Sequence, residues 1–252
     1  MPPSDQTIAL RIASAVPTGH GPGDERARVW VVDDHDLLVV GLRAAIGRHV
    51  VEVASPSELT TGTIVAEAAL FQPHLMLVDL QLGEHRPNGM DLIAPLAALG
   101  GQVVLFSGVT DRLVIAAGLE AGAVGVIGKH QRLEDIVARV RSALAGFAVT
   151  SPAERQALLD ELSTHRATAH EQLLPFDRLS PRERLVLHDM VNGMTAEEMA
   201  EAHIVSLATV RSQIRAVLQK LAVHSQLAAV AYATRVGWRL DPAETRGLRQ
   251  RW

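Results

Sequence analysis

Val29-Trp30-Val31-Val32-Asp33-Asp34 and Leu75-Met76-Leu77-Val78-Asp79 decide the fold of this 252-residue chain. Each is an apolar run of strand length that stops at carboxylates. Three further runs have the same build: Val50–Ala54, Val103–Phe106 and Ala123–Ile127. Val-rich runs that are apolar on both faces are the pattern of strands buried in a parallel sheet. Between them lie candidate helices near 36–48, 58–71, 90–99, 111–121 and 131–145. Five such βα units between Arg28 and Leu144 predict a doubly wound α/β domain around a five-stranded parallel sheet.

Composition sets the outer bounds. Hydrophobic residues make up 48% and charged residues 21%, a globular balance that excludes wholesale disorder. Aromatics are only 3%, so the cores are expected to be aliphatic. The absence of cysteine excludes a disulfide scaffold, thiolate metal sites and a cysteine nucleophile, and makes a reducing cytoplasm the default expectation. The longest apolar run, Leu113 to Gly128, is 16 residues and contains Glu120, short of the roughly 20 a bilayer helix needs. Ala13-Ser14-Ala15 mimics a signal-peptidase site. No basic residue precedes the apolar stretch Thr7–Val16, however, and Arg11 interrupts it. Residues 1–26 are therefore expected to be a flexible tail. Net charge is −4, unevenly spread. Residues 1–175 hold 13 Arg+Lys against 20 Asp+Glu, and residues 176–252 hold 11 against 8. An acidic part followed by a basic part points to different partners for the two halves.

Ser-Pro-x-Glu occurs at Ser55–Glu58, Ser151–Glu154 and Ser180–Glu183. Serine can cap free amides, proline suits the first helical position, and glutamate can reach back to the cap, so each is expected to start a helix. The second opens a linker helix over 152–174 that Pro175 should end. It carries Leu158, Leu159, Leu162, Leu173 and Leu174 without a sustained heptad. After Phe176, helices are predicted at 181–192, 196–202, 207–221 and 225–236. Thr195 with Glu198 forms another capping box, and Ser206 caps the third helix. Two short helices joined closely by His203-Ile204-Val205, then a longer one bearing Arg211 and Arg215, form a helix-turn-helix pattern.

In a doubly wound fold the ligand sits beyond the carboxyl ends of the strands. There the chain places Asp33-Asp34, Asp79, Ser107 and Lys129. Three carboxylates that close repel one another unless a cation intervenes, and an all-oxygen set with few protein ligands suits Mg²⁺. A lysine ammonium and a serine hydroxyl beside that metal would suit a tetrahedral dianion such as phosphoryl. The chain has 22 arginines but only two lysines, Lys129 and Lys220, so the lysine at the pocket stands out.

Val31-Val32-Asp33-Asp34-His35, Leu77-Val78-Asp79-Leu80, Phe106-Ser107-Gly108 and Ile127-Gly128-Lys129 together resemble the flavodoxin-like receiver domain of two-component response regulators, over about residues 27–146. The resemblance implies that Asp79 accepts a phosphoryl group from a sensor histidine kinase. It implies that Asp33, Asp34, Asp79 and the backbone carbonyl of Gln81 hold Mg²⁺. By the same resemblance Ser107 bonds a phosphoryl oxygen and Lys129 pairs with it. Three features depart from the family. The loop Leu80 to Asn88 is about two residues longer, Val126 stands where an aromatic switch residue is usual, and His130 stands where proline is common. His35 is expected only to flank the pocket, and no histidine is assigned to a metal.

A helix over 207–221 puts Val210, Ile214, Val217, Leu218 and Leu221 on one stripe and leaves Arg211, Ser212, Arg215 and Gln219 on the other side. Arginines and small polar groups on an exposed face suit a DNA major groove. Leu179-Ser180-Pro181-Arg182-Glu183-Arg184, Gly193, Ser206 to Ile214 and Lys220-Leu221-Ala222-Val223 resemble the LuxR-type helix-turn-helix of the NarL/FixJ response regulators, over about 176–240. The departures are Gln213, often histidine, and Ala222, often glycine. Thr209, Arg211, Ser212, Gln213, Arg215 and Lys220 become the candidate DNA contacts. Leu227, Val230 and Ala231 are candidates for a dimer contact or for core.

The expected organisation is thus a tail (1–26), a receiver (27–146), a helical linker (147–175), a small all-α helix-turn-helix domain (176–240) and a second tail (241–252). The expected function is a cytoplasmic, non-enzymatic transcription regulator that binds promoter DNA as a homodimer and is switched by phosphorylation of Asp79. The alternative is a phosphorylation-independent regulator whose receiver serves dimerisation or ligand sensing, suggested by Val126 and the longer loop. A phosphohydrolase using Asp79 as nucleophile is disfavoured, because Gln81 stands where a second acid would be needed.

Overall fold

The computed structural model describes residues 26–46, 51–241, 245–246 and 248. Most of both expected tails, and residues 47–50, lie outside that set. The chain divides into two compact units, Met1–Leu159 and Asp160–Trp252.

The first unit holds strands β1 (Ala27–Val32), β2 (Val51–Ala54), β3 (Leu75–Val78), β4 (Gln102–Ser107) and β5 (Gly125–Gly128). They pair in parallel in the order β2-β1-β3-β4-β5. Helices α1 (Asp36–Ile46), α2 (Thr61–Phe71), α3 (Gly89–Ala97), α4 (Arg112–Glu120) and α5 (Leu133–Leu144) alternate with them. The central strand, β3, is the fully apolar one, with all four residues buried, while edge strands β2 and β5 alternate between buried residues and exposed or partly exposed ones. Both faces of the middle of the sheet are covered, so only unbroken apolar runs fit there. Val29, Val31, Leu75, Leu77, Val104, Phe106 and Ile127 form one side of the core with α1 and α5.

The sequence order reverses between β1 and β3, which opens the crevice where such folds bind ligands. The ladder runs one residue past the strand ends. The Asp79 N–H donates to the Val32 carbonyl at 2.9 Å, and the Lys129 N–H to the Ser107 carbonyl at 3.1 Å. The four strand ends are thereby held at one edge.

Ser55–Glu58 does not start α2. Thr60 is the N-cap, accepting from the Thr63 N–H at 3.2 Å, while the Ser57 hydroxyl and N–H both bond the Glu67 carboxylate. The Ser57–Glu67 bonds compete with the capping box and move the start three residues on. The other expected boundaries that fall on described residues agree within three residues, and those at 48 and 50 lie outside the described set. The unit also runs past Gly146 into α6 (Pro152–Asp177), because the segment after α5 is fastened to β5. Thr150 Oγ1 accepts from the Val126 N–H at 3.1 Å. Arg155 donates to the carbonyls of Ala123 and Leu119 at 2.7 and 2.9 Å, where the free carbonyls of a helix end carry partial negative charge. A side chain at Gly125 would strike Val149 and Thr150, so glycine there lets the segment approach.

Pro175 does not end α6, which continues to Asp177 with the proline inside it. Phe176, only 2% exposed, is held by the core and carries the last turn past the missing amide. The second unit then has α7 (Pro181–Val191), α8 (Ala196–Ala202), α9 (Leu207–Lys220) and α10 (Gln226–Arg235). Capping boxes are complete at Ser180/Glu183 and Thr195/Glu198, and Ser206 caps α9. The core is less purely aliphatic than composition suggests. Phe176 lies 5.1 Å from the Tyr232 ring and 5.5 Å from the Trp238 ring, amid Val186, Met190, Val210, Ile214 and Val217. Among the described residues no helix is long and apolar enough to cross a membrane.

Candidate functional site

At the carboxyl edge of the sheet Asp33, Asp79 and Ser107 are all buried. Lys129 reaches in from the end of β5. Its Nζ lies 2.6 Å from Asp33 Oδ2 and 2.5 Å from Asp79 Oδ2, and 5.7 Å from the centre of the Phe106 ring. A compact ammonium can sit between two carboxylates in this way, where a planar guanidinium could not. Asp79 Oδ1 accepts the N–H of Gln81 at 3.1 Å, and Ser107 Oγ accepts the N–H of Val109 at 3.3 Å. The Ser107 hydroxyl proton thus remains available to a ligand.

Ligand atoms of Asp33, Asp34, His35 and Asp79 all lie within 4.8 Å of one another. Asp33 Oδ2 and Asp34 Oδ1 are buried, the first 2.6 Å from the Lys129 ammonium and the second 2.8 Å from His35 Nδ1. Buried carboxylate oxygens crowded together in this way fit a hard divalent cation. His35 does more than flank the pocket. Its Nδ1 is 3.0 Å from Asp33 Oδ1 and 2.8 Å from Asp34 Oδ1, and its N–H donates to Asp33 Oδ1 at 2.9 Å. Arg86 from the β3–α3 loop, which sequence reasoning passed over, places Nη1 3.5 Å from Asp34 Oδ2. Gly89 was also missed as a site residue. An added Cβ there would stand 1.8 Å from the Asp79 carbonyl oxygen, so the start of α3 is pressed against the backbone of Asp79.

The second cluster of candidates lies on α9. Val210, Ile214, Val217 and Leu221 are buried, Leu218 is half-buried, and Thr209, Arg211, Ser212, Arg215 and Gln219 are exposed. Arg211 Nη2 is 3.3 Å from Glu197 Oε1 on α8, both exposed. Two residues of the candidate set sit differently. Gln213 is half-buried, with its Oε1 among the buried atoms. Lys220 Nζ donates to Glu183 Oε2 at 2.6 Å, bracing the capping box of α7. Burial alone would push the Glu183 carboxyl up, but Lys220 and the Ser180 N–H and hydroxyl outweigh it and hold it below its ordinary range.

The turn between α8 and α9 contains Ile204 at φ 56 and 93% exposed, and Ala222 after α9 has φ 54. The usual glycine at the second position is thus explained by a left-handed backbone. Under that first turn lies a buried pair the sequence did not announce: His203 Nε2 and Asp189 Oδ2 at 2.6 Å. On α10, Leu227 and Ala231 are exposed, Val230 packs partly on the core, and Ala229 and Ala233 are buried.

Residues 29–141 match the response regulator receiver domain family, and residues 177–233 match the bacterial regulatory proteins of the luxR family. The chain is a response regulator with a LuxR-type DNA-binding domain. It is similar to the nitrate/nitrite response regulator protein NarL of Escherichia coli K12, 27% identical over 212 residues, covering 82% of this chain and 95% of that protein. The uncharacterized transcriptional regulatory protein YxjL of Bacillus subtilis is 27% identical over 217 residues, covering 84% and 97%. A structure of the RcsB response regulator of Salmonella typhimurium aligns with TM-score 0.44 at 20% identity, over 83% of this chain and 98% of that one. This response regulator therefore joins a receiver domain to a LuxR-type DNA-binding domain, and the acidic pocket lies in the first and α9 in the second.

Proposed function

We propose that this response regulator accepts a phosphoryl group on Asp79 from a sensor histidine kinase and, so modified, binds promoter DNA as a homodimer in the cytoplasm. The observation that carries the first half is the burial of Asp79 at the end of β3 with the Lys129 ammonium 2.5 Å away. An oxygen of the Asp79 carboxylate attacks phosphorus. As the O–P bond forms, the P–N bond of the donor phosphohistidine breaks and its electron pair stays on the imidazole nitrogen. Lys129, already shared between Asp33 and Asp79, pairs with a phosphoryl oxygen, and the Ser107 hydroxyl donates to another. Asp33, Asp34, Asp79 and the Gln81 carbonyl would hold Mg²⁺, whose charge offsets that of the incoming phosphoryl oxygens. Phosphorylation adds roughly 1.5–2 negative charges. Lys129 and Ser107 then shift toward the phosphoryl group, and the change spreads through the face formed by α4, β5 and α5. A coupling of about 1–3 kcal/mol suffices for a 5–150-fold effect on affinity.

On the DNA side, Thr209, Arg211, Ser212 and Arg215 present the groove-facing surface of α9, with Arg211 leaving Glu197 to reach it. Gln213 and Lys220 seat the helix from its flanks. A net charge of +3 over residues 176–252 is small for a DNA-binding unit, and a second copy on an adjacent half-site adds to it. The exposed Leu227 of α10 suits that contact.

The test is incubation with a small phosphodonor and Mg²⁺. An acid-labile adduct should form and be absent in Asp79→Asn. If the native chain forms none with any donor while promoter binding persists, the phosphoryl half of the proposal is wrong. For the DNA half, Arg211→Ala and Arg215→Ala should each weaken binding to a selected site. Unchanged binding would refute the choice of face.

A further inference from the structure

The loop Leu80 to Asn88 leads from the pocket end of β3 to α3, and several features fix its course. Leu80 and Leu82 are buried. Gly83 turns at φ 84 so close to the pocket that an added Cβ would stand 3.1 Å from Asp34 Oδ2. His85 turns the chain again at φ 63. The loop then brings Arg86 back over its own start: Nη1 donates to the Leu82 carbonyl at 3.3 Å and lies 3.5 Å from Asp34 Oδ2.

The pocket therefore contains two permanent cations with different partners. Lys129 holds the inner carboxylates, Asp33 and Asp79. Arg86 holds the outer one, Asp34. With Lys129 alone, three carboxylates would leave two net negative charges; with Arg86 they leave one. The Arg86 side chain is 42% exposed and can swing into solvent, whereas Lys129, at 15%, is enclosed.

We infer that Arg86 is a built-in counter-ion for Asp34 which an incoming divalent cation must displace, so that this loop sets how tightly the pocket binds its metal. This rests on the assignment of the acidic cluster as a cation site. Arg86 and the cation compete for one carboxylate. The affinity hidden by the competition equals the strength of the Arg86–Asp34 pair. For a half-exposed pair that corresponds to about a twofold to fivefold change in dissociation constant, and it shrinks as salt screens the guanidinium.

The experiment titrates Mn²⁺, an oxygen-seeking cation visible by electron paramagnetic resonance, into the full-length chain at low and high ionic strength. Arg86→Gln should bind Mn²⁺ about twofold to fivefold more tightly than the native chain at low salt, with the gap closing at high salt. Arg86→Lys, which keeps the charge, should stay near native. Equal or weaker binding by Arg86→Gln would overturn the inference, as would identical behaviour of the Gln and Lys variants, which would indicate a role in loop shape alone. Asp34→Asn separates the two layers. If it binds Mn²⁺ as well as the native chain, the cation-site assignment itself is wrong and the inference falls with it.

Discussion

Replacing His203 with leucine should cost the DNA-binding domain about 1–3 kcal/mol, the usual penalty for removing one partner of a buried hydrogen bond. The His203 side chain is 2% exposed and that of Asp189 0%, with Nε2 and Oδ2 2.6 Å apart. Leucine removes a hydrogen-bond partner from a carboxylate that water cannot reach. The pair joins the last turn of α7 to the C-cap residue of α8, directly before the turn into α9. Since a domain is stable by only about 5–15 kcal/mol, the loss should be large and should be felt by α9 as well. Hydrogen exchange read by mass spectrometry on the full chain resolves the effect by region. Amides of α7 and α9 should lose roughly fivefold to a hundredfold in protection, at about tenfold per 1.4 kcal/mol, while those of β1, β3 and β4 stay unchanged. The double variant Asp189→Val/His203→Leu replaces both partners with apolar groups and should recover part of the loss, because paired removal leaves neither half of the hydrogen bond behind. Two results would refute the reasoning: a His203→Leu change below about 1 kcal/mol, or a double variant as unstable as the sum of the two singles.

Three shorter predictions follow from the same structure. Gly89→Ala forces a methyl into the Asp79 carbonyl, so thermal unfolding should show a loss of about 1–3 kcal/mol in the receiver, and the yield of the Asp79 adduct should fall with it. Ala222→Gly relieves a left-handed alanine on the surface and should stabilise the DNA-binding domain by about 0.5–1 kcal/mol in urea unfolding. The Glu183 and Glu198 carboxyls are held below their ordinary range, the first by Lys220 and Ser180 against burial, the second by the Thr195 N–H and hydroxyl. A group whose folded value is depressed stabilises above its unfolded value and loses that contribution as pH falls through the folded one. Stability of the second unit should therefore decline from about pH 4.5 downward, and Glu183→Gln should flatten that decline.

The sequence carried the sheet because its signal is local and repeated. Leu75–Val78 is a strand in both readings, since four consecutive apolar residues fit the middle of a parallel sheet and little else. The pocket followed from topology, as residues at strand ends share an edge whatever the details. Helix starts were legible where the capping partners had no rival, at Ser180 and Thr195, and misleading at Ser55, where Ser57 finds Glu67, ten residues on within α2. The features that escaped depend on distant approach. Asp189 and His203 are fourteen positions apart, and neither looks unusual alone. Arg86 reaches Asp34 only because Gly83 and His85 both take positive φ, and Gly89 matters through the backbone of a residue ten positions earlier.

The two lysines tie these observations together. In a chain with 22 arginines, each lysine is found bonded to buried or half-buried carboxylates at 2.5–2.6 Å. Among the described arginines, Arg155 bonds two carbonyls near the end of α4, Arg139 that of Val149, and Arg211 the exposed Glu197, while Arg86 reaches the pocket only at its outer carboxylate, Asp34, at 3.5 Å. The division is geometric. A guanidinium spreads its donors in a plane and grips two acceptors side by side, as Arg155 does. Lys129 must instead sit between Asp33 and Asp79, on carboxylates from two strands, and must be able to transfer its contact to a phosphoryl oxygen arriving on Asp79. A single point charge on a flexible stem does this by a small movement, whereas a bidentate grip would have to break whole. Lys129→Arg should therefore leave the pocket folded yet lose the response to phosphorylation. If that variant switched promoter affinity as the native chain does, compactness of the charge would not be what this position requires.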